Sequence, residues 1–156
     1  LADVVRLIKG DRYRSRLISK IMFGAYNKHI KNVRTVNDWL TRDEAVVDEY
    51  NAGKLTTFLF TVNGYRGLMN MILYVRKPRN IERIPKNLPM LMISGLDDPV
   101  GEYGKGVYRA YNSYHGHIDD IDLRLYEDCR HELCNELNKE EIYEEIYGWI
   151  MNHMSK

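Results

Sequence analysis

The most constraining feature of the sequence is a short, largely apolar run at residues 90–94 that ends at Gly95. A run of this length that stops at glycine is typical of a strand buried on both faces of a parallel sheet. A helical pattern over 103–114 follows, and a second strand then ends near Tyr126, with alternating apolar residues at Ile121, Leu123 and Leu125. A strand, a helical crossover and another strand predict two parallel strands with a right-handed connection, and therefore an α/β fold.

A polar loop follows each of these strands. Asp98 lies about four residues after the first strand, and His131 lies about five residues after the second. Because parallel strands end at the same edge of a sheet and neighbours are ~4.8 Å apart, we expect these two side chains to meet. A carboxylate bound to one imidazole nitrogen fixes the tautomer, stabilises the imidazolium and leaves the other nitrogen as a general base. The pattern therefore predicts a catalytic pair of Asp98 and His131.

Other interpretations of this region remain open from the residues alone. Asp98 also fits a turn or helix-capping aspartate, His131 fits an ordinary loop histidine, and Asp97 is a competing carboxylate. Cys129 and Cys134 flank His131, but a metal site would need more ligands at a recognisable spacing. We expect two reduced thiols, no metal and no cofactor.

The first half of the chain has helical periodicity. Apolar residues at three- and four-residue steps predict an amphipathic helix over 12–30, with Asp11 as its N-cap. Thr41 and Glu44 have the spacing of a capping box that opens a short helix. A third helix is predicted over 65–76, with its apolar residues on one side.

The pattern changes near residues 85–89, where two prolines stand close together. This change predicts a helical region over 1–84 and an α/β region over 85–156. The last helix is predicted to start at Asn138, with four apolar residues turned inward, namely Ile142, Ile146, Trp149 and Ile150.

The composition limits the class of protein. The chain has 156 residues, of which 44% are hydrophobic and 29% are charged, as in a globular domain. Its formal net charge of +1 provides no basic field for nucleic acid, so no nucleic-acid partner is expected. The sequence contains neither a signal-peptide pattern nor an apolar stretch approaching the ~20 residues of a membrane span. These features favour a cytoplasmic protein.

The residues of the two loops resemble a known family. The segments 91–95 and 97–101, followed by Arg130-His131-Glu132 and Asn135-Glu136, are similar to the C-terminal half of α/β-hydrolases. The nearest branch is the serine aminopeptidase and monoacylglycerol lipase-like group, often named bacterial lysophospholipases. The resemblance implies a partial α/β-hydrolase fold, in which a helical cap precedes the last parallel β-α-β-α unit of the sheet. It also implies that Asp98 is the triad acid and His131 the triad base.

The chain departs from that family in lacking its nucleophile. The family's serine stands in a Gly-x-Ser-x-Gly turn, and none of the five serines here does, namely Ser15, Ser19, Ser94, Ser113 and Ser155. Since the family's serine precedes its aspartate and histidine in the chain, we expect it in an upstream segment and expect this chain alone to be inactive.

The alternative is a non-catalytic fragment or binding module that uses an apolar cap surface for association. Half a sheet would also expose an edge strand, so homo-oligomers are possible.

Aromatic residues and methionines in the first half suggest a site for an apolar substrate. Tyr26, Phe60, Tyr65 and Met69 are predicted to line an acyl-chain tunnel under the cap, although a plain helical core is the alternative. The expected substrate is an apolar carboxylic ester such as a monoacylglycerol, a lysophospholipid or a short-chain acyl ester. An aminopeptidase role within the same family stays open.

Overall fold

The computed structural model describes residues 1–154. Seven α-helices, two β-strands and one short 3₁₀ turn at Leu133–Asn135 make up this part of the chain. The elements are, in order, α1 Ala2–Lys9, α2 Arg16–Phe23, α3 Glu44–Ala52, α4 Val62–Val75, α5 Pro78–Ile81, β1 Met90–Gly95, α6 Lys105–His115, β2 Ile121–Tyr126 and α7 Lys139–Met154. Among these helices, none combines the length and the apolar character needed to cross a bilayer.

The two strands pair in parallel. Their register runs from Met90 opposite Ile121 to Gly95 opposite Tyr126, and α6 forms the crossover between them. The predicted strand–helix–strand unit is thereby confirmed, and so is the partial α/β-hydrolase class of fold. Both strands stop at the same edge, and the loops that follow them start side by side.

The predicted helix over 12–30 is wrong in its start and in its length. Ser15, rather than Asp11, is the N-cap of α2, because its hydroxyl accepts a hydrogen bond from the Ile18 amide at 3.3 Å. Arg14 forms an isolated antiparallel bridge with Thr61, which holds the preceding backbone in an extended conformation. The helix ends before Gly24, and turns replace helix over 24–29.

The capping box at Thr41 is also wrong. Asp43 caps α3, since its carboxylate accepts hydrogen bonds from the amides of Ala45 and Val46. The Thr41 hydroxyl instead donates to the Asn135 carbonyl at 2.7 Å, a contact between residues 94 positions apart. The third predicted helix exists as α4, and it begins earlier than residue 65 because Thr61 caps it.

Two apolar clusters form the core. The first joins Ile18, Val62 and Tyr65 on α2 and α4, and the second joins Cys129, Leu133 and Ile142. The second cluster packs α7 under the strand pair, and Ile146 lies against it as predicted. The prediction that Ile150 also turns inward is wrong, because 42% of its surface is exposed at the next turn of α7.

Gly95 allows the two strand-following loops to touch. A Cβ at this position would overlap the backbone carbonyl oxygens of Cys129 and Arg130. The Asp97 amide donates to the Cys129 carbonyl at 2.9 Å across this contact. The close approach therefore requires a residue without a side chain.

Replacing Gly95 with Ala should lower the free energy of unfolding by about 1–3 kcal/mol, because backbone must move to relieve the overlap. Gly148→Ala in α7 is the matched control, since the added carbon would meet open space. Alanine there should raise the free energy of unfolding by about 0.5–1 kcal/mol. Urea unfolding of the two variants measures both effects. A Gly95→Ala protein as stable as the parent would contradict the proposed close packing.

Candidate active site

The structure brings Asp98 and His131 together at the edge where both strands end. Nδ1 of His131 lies 3.1 Å from Oδ2 of Asp98, within hydrogen-bond distance. Asp98 is buried with 5% of its surface exposed, whereas 37% of the His131 side chain is exposed. The carboxylate is therefore shielded from water, while the far side of the imidazole remains open to a reacting group.

The loop after β1 fixes the Asp98 carboxylate. The Val100 amide donates to Oδ1 at 2.8 Å, and the Ser94 hydroxyl donates to Oδ2 at 3.4 Å. Gly101 passes close to both groups, because a Cβ there would lie 3.0 Å from the Ser94 hydroxyl and 3.3 Å from Oδ2 of Asp98. The competing carboxylate, Asp97, is exposed and belongs to the turn rather than to the contact with His131.

The electrostatics of the pair favour the imidazolium. The hydrogen bond to Asp98 raises the pKa of His131 above its ordinary value of 6.5, partial burial opposes the rise, and the charges of Asp98 and Glu132 add to it. A base whose protonated form is stabilised in this way suits a step in which the imidazole takes up a proton. Because Nδ1 is used for Asp98, Nε2 is the nitrogen that remains for a substrate or a nucleophile.

The loop after β2 carries His131, and we name it the His131 loop. A segment from the first half of the chain supports it. The amides of His131 and Glu132 donate to the carbonyls of Trp39 and Leu40, at 3.4 Å and 2.7 Å respectively. In the same direction, Nη1 of Arg130 donates to the Asp38 and Thr41 carbonyls at 2.7 Å and 2.9 Å. We name residues 38–42 the support segment.

A buried ion pair ties the support segment to the same loop. Glu136 has none of its surface exposed, and its Oε2 accepts from Nε of Arg42 at 2.9 Å. Its Oε1 accepts from the Arg130 amide at 2.8 Å. The sequence indicated Glu136 only through the family resemblance, and it assigned neither Arg42 nor Glu136 to the site. The signal in the sequence that could have indicated them was position: Glu136 lies five residues after His131, and Arg42 lies three residues after Trp39.

Aromatic rings continue from His131 into the first half of the chain. The Trp39 ring lies 5.1 Å from the His131 ring, and the Tyr26 ring meets Trp39 edge-on at 4.9 Å. Burial, followed by the nearby negative charge of Asp98, raises the pKa of Tyr26 above its ordinary value. Tyr26 is thus a neutral, aromatic neighbour of the pair.

An open groove of about 670 Å³ lies beyond Trp39. Its aromatic lining consists of Phe23, Trp39, Tyr50, Phe58, Phe60 and Tyr65. Of the four predicted substrate residues, Phe60 and Tyr65 line the groove, although Tyr65 is 1% exposed and serves mainly as core. Tyr26 reaches it through Trp39 and Phe23, whereas Met69 lies outside the described lining and is 40% exposed.

The serines of the described chain have other roles. Ser15 caps α2, Ser113 donates to the Arg109 carbonyl, and Ser19 lies on the groove. Ser94 approaches the site, but its hydroxyl donates to Asp98 on the Nδ1 side of His131. Ser155 lies outside the described residues.

Cysteines and metal ligands lie apart from this chemistry. Burial raises the pKa of the Cys129 thiol, which disfavours a reactive thiolate, and Cys134 is exposed; both are unpaired. Among residues 1–154, the one grouping able to hold a metal ion is Asp120, Asp122 and His153. It lies where β2 begins, at the edge opposite His131.

The fold matches part of an α/β-hydrolase: a parallel β-α-β-α unit, here with a carboxylate and an imidazole in contact at the edge where the strands end. A family model described as serine aminopeptidase, S33, matches residues 7–138. The chain therefore belongs to this hydrolase family.

Two solved structures are similar to the chain. A highly thermostable carboxyl esterase from Bacillus coagulans, in complex with glycerol, gives a TM-score of 0.83 at 21% identity over 99% of this chain and 49% of that one. An open-form lipase gives 0.82 at 20% identity over 94% and 47% respectively. The chain thus spans about half the length of the structures that share its fold, and no curated protein sequence matched it significantly.

Replacing Asp98 with Asn should lower the pKa of His131, because the charge and the hydrogen bond that raise it are removed. The folded-state pKa lies above the unfolded value of about 6.5, so the pair's contribution to stability is fully present below that pH. It is lost as the pH rises through the folded pKa. The parent should therefore exceed Asp98→Asn in stability by more at about pH 6 than at about pH 9.

An NMR titration of the His131 ring measures the first effect, and urea unfolding at the two pH values measures the second. The exposed ring of His115 on α6 provides an internal control in the same spectra. An unchanged His131 midpoint in Asp98→Asn would show that the contact does not exist in solution.

Proposed function

We propose that this chain supplies the acid and the base of a serine ester hydrolase. The observation that carries the proposal is the contact between the buried Asp98 carboxylate and Nδ1 of the half-exposed His131. Membership of a hydrolase family and the fold shared with an esterase and a lipase support it. In this proposal, residues 1–84 form the cap, and 85–156 form the last part of the catalytic core.

The proposed mechanism assigns one role to each partner. A serine hydroxyl attacks the ester carbonyl, and Nε2 of His131 takes the hydroxyl proton and then delivers it to the leaving alcohol. The serine is now acylated. His131 next takes a proton from water as the water oxygen attacks the acyl carbonyl, and it returns this proton to the serine oxygen when the acid leaves. Asp98 remains ionised throughout, holding Nδ1–H and stabilising the imidazolium. No step needs a metal or a cofactor.

The nucleophile in this proposal belongs to an upstream segment of the same enzyme. The Ser94 hydroxyl lies within hydrogen-bond distance of the Gly95 carbonyl and of Oδ2 of Asp98, the oxygen that Nδ1 of His131 contacts, so it is not placed for Nε2. The chain also covers 49% of the esterase whose fold it shares, which leaves about half of such an enzyme to supply the Gly-x-Ser-x-Gly turn. The isolated chain is then inactive.

The proposed substrate is an ester with an apolar acyl group. The groove has an aromatic lining, and one of the lining rings, Trp39, also packs against the His131 ring. Neither Asp nor Glu belongs to its described lining, so it offers no carboxylate to bind the free α-amino group of an aminopeptidase substrate. Monoacylglycerols and lysophospholipids are the specific candidates.

In the complete enzyme, replacing His131 with Ala should reduce the hydrolysis of p-nitrophenyl esters by roughly 10⁴-fold or more, as expected when a triad member is lost. Initial rates with p-nitrophenyl butyrate measure the effect. His115→Ala, an exposed histidine on α6, is the matched control and should keep the parent's rate. Unchanged turnover in His131→Ala would rule out the proposed base.

Replacing Phe60 with Ala should weaken the hydrolysis of long acyl esters more than that of acetate, because the longer chain loses apolar contact in the groove. The expected loss in kcat/KM is about 5–100-fold for a decanoate ester, corresponding to about 1–3 kcal/mol of apolar burial. Met69→Ala is the control, since Met69 lies outside the groove lining. Equal losses for acetate and decanoate would argue against the groove as the acyl site.

A further inference from the structure

We propose that Arg42 and Glu136 are positioning residues for His131. The catalytic part of this proposal rests on the proposed function. Neither side chain touches His131. Each instead fixes the backbone on one side of it: Arg42 ends the support segment, and Glu136 follows the His131 loop. Asp98 sets the rotation of the imidazole, and this ion pair sets where the imidazole is held.

The arrangement around Glu136 is specific to that task. Four donors surround its fully buried carboxylate: the amides of Arg130, Arg42 and Leu137 and the Nε of Arg42. The Arg130 amide belongs to the peptide that joins Cys129 to Arg130, one residue before His131. A displaced Glu136 would therefore release the backbone on which the imidazole is mounted.

Arg42 completes the connection from the opposite side. Its Nη2 donates to Oδ1 of Asn138 at 2.8 Å, in addition to the bond from Nε to Glu136. One guanidinium thus binds both Glu136 and Asn138, two residues that follow the His131 loop. Lysine could keep the charge but could not make both bonds, because it lacks the planar fork of donors.

The support segment gives this pair its effect on the ring. Trp39 and Leu40 accept hydrogen bonds from the amides of His131 and Glu132, and the Trp39 ring packs on the imidazole. Loss of the ion pair would let the segment and the loop separate. The Nδ1–Oδ2 contact of 3.1 Å would then lengthen, although Asp98 itself is fixed by β1 and its loop.

The test uses Arg42→Ala, Arg42→Lys and Arg34→Ala, with the His131 ring followed by NMR titration in this chain. Arg34 is the matched control, because it pairs with Asp48 and Glu44 in the same region without contacting the His131 loop. The midpoint of His131 should fall toward about 6.5 in Arg42→Ala, fall less in Arg42→Lys and stay unchanged in Arg34→Ala. Asp98 and Glu132 are the charges that raise the pKa of His131, and none of the variants replaces them. The Glu136 carboxylate that Arg42→Ala leaves unpaired is negative and would raise the midpoint, so a fall reports displacement of the ring.

Circular dichroism and urea unfolding separate positioning from simple loosening. Lower stability with an unchanged His131 titration midpoint in both Arg42 variants would overturn the proposal. An equal fall of that midpoint in Arg34→Ala would also overturn it. Should Arg42→Ala fail to fold, Arg42→Lys decides alone. Since the titration needs no substrate, this result is independent of ester hydrolysis, which the activity of His131→Ala tests separately.

Discussion

The parallel pairing of β1 with β2 is the interaction on which the candidate site depends. Both strands stop at one edge in a fixed register, with Gly95 opposite Tyr126. The loops after them are then close enough for the Asp97 amide to bond to the Cys129 carbonyl, and for Asp98 to meet His131. An antiparallel pair would have placed the two loops at opposite ends, and no local hydrogen bond could have compensated for that separation.

A second constraint links the two halves of the sequence. The support segment lies in the predicted cap, yet it pairs with the His131 loop through backbone hydrogen bonds and through Arg42 and Glu136, 94 residues apart. Glu136 is fully buried and Arg42 is partly exposed, so loss of Arg42 would leave a buried carboxylate without compensation. For a fully buried pair this typically costs about 3–5 kcal/mol. The region before residue 85, which is the cap in the proposed enzyme, therefore also holds the loop that carries His131 in place.

The sequence predicts those features that depend on local pattern combined with topology. The strands, their parallel order and the meeting of Asp98 with His131 follow from apolar periodicity and from the rule that parallel strands end together. Features decided by distant contacts could not be predicted. Asp11 and Ser15 are both good N-caps by residue type, and the distant bridge from Arg14 to Thr61 selects the second. Likewise, a glutamate such as Glu136 reads as a surface residue until its partners are known.

In the proposed enzyme, Asp98 and His131 serve a serine that lies in another part of the chain. Labelling the complete enzyme with a serine-directed fluorophosphonate, followed by peptide mapping by mass spectrometry, tests it most directly. We expect a single modified serine within a Gly-x-Ser-x-Gly turn upstream of this sequence, with labelling greatly slowed in His131→Ala. Modification of Ser94, or labelling that does not depend on His131, would contradict it.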